Sequence, residues 1–276
     1  MERIGIALGG GGAKGLAHVV VLEAFDELGI RPHAVAGTSI GAVVGVLYCA
    51  GQSAAELRAS IDRLIIRDGE SLRSAFADRR LFHWLDFIAP QFEGAGLIRS
   101  EKFISFLFES IHAETFDQLS IPLRVVAADF WNRQEVVLDS GPLRSAVQAS
   151  MSLPGLFAPV MLDGRLLVDG GAVNPVPFDR LPVDCTVRVA VDVIGEREHA
   201  DGEPPSLSES IFNTFQIMEK SIIRAKLQAA RPDIYLEVDV RGVRLLEFYK
   251  ASQVFAQAEH AKDQLKRALV RQLGLT

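Results

Sequence analysis

The chain has 276 residues, 49% of them apolar and 23% charged, and carries a formal charge of −6. That composition suits one large α/β domain with ample core, or two small ones. Acidic and basic residues are interleaved without a lysine- or arginine-rich run, which argues against nucleic acid as a partner and against electrostatic attachment to anionic lipid. The two cysteines, Cys49 and Cys185, lie far apart and read as reduced structural thiols.

Ile4–Leu8 is a short apolar run and predicts a buried strand. A glycine-rich segment follows, Gly9 to Gly12 with Ala13, Lys14 and Gly15. Leu16, Val19, Val20, Phe25 and Leu28 then fall near helical spacing, and Gly29 is expected to end that helix as its C′ residue. Pro32 fixes a turn, and Ala34–Ala36 is the next strand. Strand, helix and strand in this length make a βαβ unit with parallel strands. Both glycine-bearing turns therefore share the carboxyl edge of the sheet, where open α/β folds place their sites.

Gly37-Thr38-Ser39-Ile40-Gly41 reads Gly-x-Ser-x-Gly and leads into the small apolar run Ala42 to Leu47. One reading is a nucleophile elbow, in which a sharp strand-to-helix turn pushes the serine hydroxyl out at a helix N-terminus. The other is a helix merely capped by Thr38 or Ser39. The glycine run is also open to several meanings. Gly10, Gly12 and Gly15 match a dinucleotide fingerprint, but His33 to Gly37, at the end of the second strand, hold no acid for a ribose. A P-loop fails, because Lys14 is followed by Gly15 rather than Ser or Thr. An oxyanion hole built from unobstructed backbone N–H groups is the third reading. A plain tight turn is the fourth, at a high entropic cost for four glycines.

Ser53 to Glu56 is a capping box that opens a helix to about Ile66. Arg67 to Arg80 is expected to be a polar loop. Leu81 to Ile111 gathers Trp84 and six phenylalanines, which reads either as a helical layer on the sheet or as a wall for an acyl chain. Thr115 to Leu119 is a capped turn, Leu123–Ala128 and Glu135–Leu138 are strands, and Ala146 to Met151 is a short helix. Asp163-Gly164 signals a hairpin between Val160–Leu162 and Leu166–Val168. The second arm runs into Asp169-Gly170-Gly171, where the bland reading of Asp169 is a turn aspartate. Val187–Ile194 is a buried strand, and Gly195 to Pro205 a surface loop. A capping box at Ser206 opens a helix with Ile211, Phe212, Phe215 and Ile222 on one face. Ile234–Val240 is a last strand, and Glu247 to Leu273 a helix with a charged outer face. No linker or repeat divides the chain, so residues 1–276 are read as a single domain. The N-terminus lacks a basic segment followed by an apolar one, and no apolar run approaches the ~20 residues of a membrane span. The expectation is a cytoplasmic protein.

With the pieces Gly10 to Gly15, Gly37 to Gly41 and Asp169 to Gly171 in this order and spacing, the sequence resembles the patatin-like phospholipase family. Ala149 to Pro159 and Asn174 to Pro177 also look like that family, and the resemblance covers about Ile4 to Pro182. Gln148 departs from it, many members having Arg there. The resemblance implies a three-layer α/β fold, with a mostly parallel central sheet flanked by helices, and a Ser-Asp dyad in place of a triad. By that resemblance Ser39 is the nucleophile and Asp169 its base. The glycine loop of Gly10, Gly11 and Gly12 supplies oxyanion donors, with Gly11 and Gly12 the best assigned. Gly15, Gly37, Gly41, Gly170 and Gly171 complete the motifs.

The chemistry makes a demand of its own. A serine hydroxyl needs a base within hydrogen-bond reach, and an ordinary carboxylate is a weak one unless burial raises its pKa. Asp169, after Leu166-Leu167-Val168, is placed for such burial. Of the histidines that follow Asp169, His199 sits in a charged loop and His260 on a helix surface, so both are expected to be solvated. His18 reads as a packing residue or a support of the site. Lys14 is expected in solvent at the helix start, the alternative being contact with a lipid phosphate. No metal spacing is present, and no cofactor is expected.

The leading function is hydrolysis of an acyl ester of a phospholipid or lysophospholipid, with peripheral contact at the inner membrane surface. The alternatives are a carboxylesterase or acyltransferase on the same dyad, and a non-catalytic lipid-binding regulator, which the intact dyad and glycine loop argue against.

Overall fold

The computed structural model describes residues 2–64, 101–195 and 207–274. Its frame is a sheet whose central strands alternate large and small side chains. On strand β1 (Ile4–Leu8) the residues Ile4, Ile6 and Leu8 face one core, while Ala7 faces the other. Strands β2 (Ala34–Thr38) and β7 (Val187–Asp192) repeat the pattern, with Val35, Val187, Val189 and Val191 on the first side and Ala34, Ala36 and Ala190 on the second. The larger side chains meet helix α1 (Ala17–Glu27), helix α2 (Ile40–Cys49), helix α3 (Ala54–Leu64) and, late in the chain, helix α7 (Ala251–Leu273). The alanine side receives Ile223 of helix α6 (Leu207–Ala229), together with Val176 and Phe178. Small side chains on that face leave room for the helix to lie close.

Among the described residues the strand order is β5 (Val160–Leu162), β6 (Arg165–Asp169), β3 (Leu123–Asp129), β2, β1, β7 and β8 (Ile234–Glu237). Strand β4 (Gln134–Leu138) pairs with β3. The run β3-β2-β1-β7-β8 is parallel, and β4, β5 and β6 add antiparallel pairings at one end. The expected mostly parallel sheet flanked by helices is therefore the observed fold, and β1 and β2 are parallel as the βαβ reading requires.

One strand organises the site. The first part of β3 pairs with β2, ending at Thr38 opposite Val126. Its last part pairs with β6, beginning at Asp169 opposite Ala127. Because β4 bonds to residues 125–129, spanning both parts, it takes the other edge of β3. Strands β2 and β6 thus meet end to end along a single neighbour.

Local signals fall where the turn chemistry puts them. Gly29 closes α1 at φ 65°, and Asp163 and Gly164 make the hairpin at φ 48° and 73°. Ser53 and Glu56 exchange hydrogen bonds ahead of α3, and Thr115 and Gln118 form a second capping box.

Several boundaries differ from expectation. Helix α5 (Leu143–Ser150) starts three residues early, with Pro142 at its N-cap position. Strand β8 stops at Glu237: the Val238 N–H makes a last bond to the Asp192 carbonyl of β7, and the Val240 N–H then bonds Val238 O in a tight turn. Ile211 is 49% exposed, so the inward stripe of α6 runs instead through Phe212, Gln216, Glu219 and Ile223. Of the aromatic segment, helix α4 (Glu101–Phe108) is described, and Ile104, Phe108 and Ile111 are buried in the main core. Trp84 and the segment's earlier phenylalanines, the expected polar loop at 67–80, His199 and most of the loop at 195–205 lie outside the described residues, as does Ser206. No helix among the described residues is long and apolar enough to cross a membrane. Both cysteines are free and buried.

Candidate active site

The site begins with a backbone problem at the end of β2. Ser39 stands at φ 54°, ψ −124°, a region that L-residues rarely adopt. Glycine on both sides makes the turn feasible. A Cβ on Gly41 would lie 2.1 Å from the Leu8 carbonyl oxygen, and one on Gly37 would lie 2.7 Å from the Cα of Ala42. Ser39 occupies the N-cap position of α2, yet its side chain makes no capping bond. Its Oγ donates to Asp169 Oδ2 at 2.7 Å instead, so Ser39 is not a simple side-chain cap.

Asp169 is 2% exposed. Its second oxygen, Oδ1, accepts from the Gly171 N–H at 2.8 Å, so the turn aspartate and the partner of Ser39 are one residue used twice. Burial pushes its carboxyl up from the ordinary 3.8 to about 6, while the Gly171 N–H and the Ser39 hydroxyl pull the other way. Gly170 allows the close approach of this turn to β3, since a Cβ there would lie 2.3 Å from the Val126 carbonyl oxygen.

The glycine loop faces this pair across the carboxyl edge of β1. The Gly9 N–H donates to Val191 O at 3.0 Å and the Gly10 N–H to Pro175 O at 2.9 Å. The Gly10 N–H, expected among the oxyanion donors, is thus already committed. The N–H groups of Gly11 and Gly12 meet no acceptor among the described residues, and both residues line the cavity described below. Gly11 at φ 157° and Gly12 at φ 59° take conformations that suit glycine. Gly15 has no room for a side chain, because a Cβ there would lie 2.1 Å from Ile40 Cγ2.

Three further side chains border the elbow, the glycine loop and the cavity. Ser150 is fully buried at the end of α5; its Oγ accepts from the Ser39 N–H at 2.9 Å and donates to Val126 O at 2.6 Å, tying the elbow to β3. The Ala149-to-Pro159 stretch drew attention only as a family motif, and nothing in it singled out Ser150. Lys14 is 7% exposed and donates to Ile194 O at 2.8 Å, which corrects its placement in solvent: the ammonium fastens the glycine loop to the end of β7. Glu219, 5% exposed on α6, also faces the site. Its position on a helical stripe with Phe212, Gln216 and Ile223 was the available signal.

His18 supports the loop as expected. Its Nε2 bonds the Gly9 carbonyl oxygen at 2.8 Å, and burial lowers its pKa to about 4, which keeps the ring neutral. His260 is exposed on α7, away from any role as a third member of the pair.

Ser39 opens into a cavity of about 570 Å³. Leu16, Val43, Val44, Leu47, Leu57 and Ile61 form its apolar flank, and Met151, Leu153, Phe157, Phe212, Phe215 and Phe248 add to it. Of the segment read either as a helical layer or as an acyl wall, Leu107, Glu109 and Ser110 reach this cavity. Among the described residues no group of three or more His, Cys, Asp or Glu could hold a metal ion.

The family model described as patatin-like phospholipase matches residues 6–182. The chain belongs to the patatin-like phospholipase family. An uncharacterized NTE family protein of Mycobacterium bovis is 32% identical over 210 residues, 75% of this chain and 54% of that protein. Patatin-like phospholipase domain-containing protein 7 of Rattus norvegicus is 34% identical over 204 residues, which are 72% of this chain and 14% of the relative. Lysophospholipase NTE1 of Pyricularia oryzae is 29% identical over 193 residues, 70% of this chain and 12% of the relative. The chain therefore spans about half the length of the mycobacterial relative and much less of the eukaryotic ones. The crystal structure of VipD from Legionella pneumophila overlaps 95% of this chain and 67% of its own, at 13% identity and a TM-score of 0.47.

Proposed function

We propose that this member of the family is a serine lipid acyl hydrolase of the phospholipase A or lysophospholipase type, with Ser39 as nucleophile and Asp169 as base. The observation that carries the reading is the 2.7 Å bond from Ser39 Oγ to Asp169 Oδ2, both of which line an apolar cavity. Asp169 accepts the Ser39 proton as Oγ attacks the ester carbonyl carbon. A carboxyl titrating near 6 is a stronger base than an exposed aspartate and is still ionised at neutral pH. The carbonyl oxygen becomes an oxyanion, and the Gly11 and Gly12 N–H groups are the donors that receive it. The C–O bond to the leaving alcohol breaks, Asp169 returns the proton to that alcohol, and the acyl group remains on Ser39. Water, deprotonated by Asp169, then attacks the acyl-enzyme and releases the fatty acid and free Ser39.

The cavity supports the choice of substrate. Its aliphatic and aromatic walls match a fatty acyl chain, and each methylene removed from water contributes about 0.8 kcal/mol. The test is a panel of phospholipids, lysophospholipids and simple esters read by mass spectrometry, with fluorophosphonate labelling and Ser39→Ala as controls. Release of fatty acid from the lipids by the native protein, and not by Ser39→Ala, is expected. A native protein that neither labels nor hydrolyses any of them overturns the reading and favours a lipid-binding regulator.

A further inference from the structure

The Ser39–Asp169 mechanism leaves one buried titratable group at the site unused. Glu219 lines the cavity from α6, and its Oε1 lies between Gly171 of the Asp-Gly-Gly turn and Gly10 of the glycine loop. A Cβ on Gly171 would lie 2.2 Å from Glu219 Oε1 and 3.2 Å from Asp169 Oδ1, so the two carboxyl groups share one small space that only glycine leaves open. A Cβ on Gly10 would lie 3.6 Å from Glu219 Oε1 and 3.5 Å from Ser39 Cβ, so the same carboxyl and the nucleophile border the same stretch of the glycine loop. At 5% exposure Glu219 takes no hydrogen bond from any described residue.

We propose that Glu219 is a second functional carboxyl of this site, which hydrogen-bonds the polar end of the bound ester while Asp169 serves as base. The proposal rests on the Ser39–Asp169 reading and extends it to substrate recognition. Glu219 does this as a neutral acid. Two carboxylates in one buried space do not both ionise, and the proton stays on the one with fewer donors. Asp169 is served by the Gly171 N–H and the Ser39 hydroxyl. The charged groups around Glu219 are Asp169 at the end of β6, Asp192 at the end of β7, and Lys220 beside it on α6. Lys220 offers little help, since its ammonium is held by Asp192 at 2.9 Å and by Glu237 at 2.7 Å. Burial first, and then the two aspartates, hold the Glu219 carboxyl well above the ordinary carboxylate range. A neutral carboxylic acid both donates and accepts, so it can pair with an ester oxygen or with a free hydroxyl of a lysolipid. An ionised Glu219 would instead set a negative charge beside the developing oxyanion.

Glu219→Gln and Glu219→Leu separate the possibilities. Glutamine keeps the shape and a neutral donor, so kcat/KM at pH 7 should stay within about threefold of wild type. Leucine should lose roughly tenfold, the worth of one hydrogen bond to substrate. The wild-type profile of kcat/KM against pH should bend down on its alkaline side where Glu219 ionises, and Glu219→Gln should abolish that bend while leaving the acid limb in place. Infrared difference spectra of wild type against Glu219→Gln at pH 7 should contain the C=O band of a protonated carboxyl. A missing band, or activity of both variants equal to wild type at every pH, overturns the proposal. If Glu219→Leu fails to fold, the near-isosteric glutamine variant still decides through its pH profile and its spectrum. Fluorophosphonate labelling of Ser39 distinguishes the two levels: unlabelled wild type sinks the dyad, whereas labelled wild type with no protonated carboxyl sinks only the role of Glu219.

Discussion

Thr38 and Asp169 occupy successive rungs of one strand: Thr38 lies opposite Val126 on β3 and Asp169 opposite Ala127. Residues 131 positions apart are thereby held end to end by backbone hydrogen bonds, and the Ser39 hydroxyl reaches the Asp169 carboxylate without help from any loop. A pair fixed in this way should act as a unit. Ser39→Ala and Asp169→Asn are each expected to lower kcat by about 10⁴ or more, and the double variant should be little worse than either single one. Multiplicative losses would show that the two residues act independently. The acid limb of kcat/KM should have its midpoint near 6, where Asp169 must lose its proton to serve as base.

The same carboxyl makes stability depend on pH. Folding raises the Asp169 pKa from 3.8 to about 6, so the folded state binds this proton more tightly than the unfolded chain. That contribution is fully present below about pH 4 and is lost as pH rises through about 6. Asp169→Asn removes the titration, so its melting temperature should gain on wild type between pH 4 and pH 8. In unfolding free energy the gain should be on the order of 2–3 kcal/mol at the upper end. A gap that does not change with pH would refute the burial argument.

Much of this site was readable from residue types because each motif obeys a local steric rule. The elbow needs glycine at 37 and 41 against backbone 2.7 Å and 2.1 Å away, and sequence records such needs directly. Contacts made across the fold left weaker marks. Ser150 is one serine among small residues, and its value comes from lying beside Val126, which no spacing announces. Lys14 looked solvated because its acceptor, the Ile194 carbonyl, is 180 residues away. Hydropathy groups Ile211 with Phe212 on one face of α6, yet Ile211 is exposed and the inward stripe includes an acid, Glu219, that hydropathy places outside. Binary patterning fails where the core gives way to a site.

Ser150→Ala should damage the elbow without touching the chemistry. It leaves the Ser39 N–H and the Val126 carbonyl without their partner at 2.9 Å and 2.6 Å. Burying such groups unpaired costs roughly 1–3 kcal/mol each. Lower thermal stability together with reduced kcat is expected, and Ser150→Thr should recover part of both if its methyl is accommodated. Unchanged stability and turnover in Ser150→Ala would remove Ser150 from the account.

The cavity should measure acyl chains. Leu47 lines it and is only partly buried, so a larger side chain there has room to turn inward. For wild type, kcat/KM on esters of increasing length should rise roughly fourfold per methylene, following about 0.8 kcal/mol each, until the cavity is full. Leu47→Trp should move that plateau to shorter chains and leave short-ester turnover unchanged. An identical plateau in wild type and variant would mean that the acyl chain lies elsewhere.

Contact with lipid in bulk should come from the tip of the β3–β4 hairpin, beyond the carboxyl edge that carries the site. Phe130 and Trp131 are 47% and 73% exposed and pack edge to face at 4.9 Å. Met161, 65% exposed, lies on the same side of the sheet end, one strand beyond Leu166, whose carbonyl accepts from the Phe130 N–H. The turn is held by Asp129, whose Oδ1 accepts from the N–H groups of Trp131 and Asn132, so the aromatic pair is presented without further ordering. Arg133 and Arg165, both exposed, flank the patch with charges suited to phosphate. Aromatic side chains with flanking arginines favour the boundary between headgroups and acyl chains. Trp131→Ala should therefore weaken binding to phosphatidylcholine–phosphatidylglycerol vesicles by roughly one decade, the worth of one buried aromatic. Its melting temperature and its kcat/KM on a water-soluble short-chain ester should match wild type. Vesicle sedimentation checks the first expectation and a colorimetric ester assay the second; equal sedimentation of variant and wild type would show that the hairpin tip does not touch the membrane.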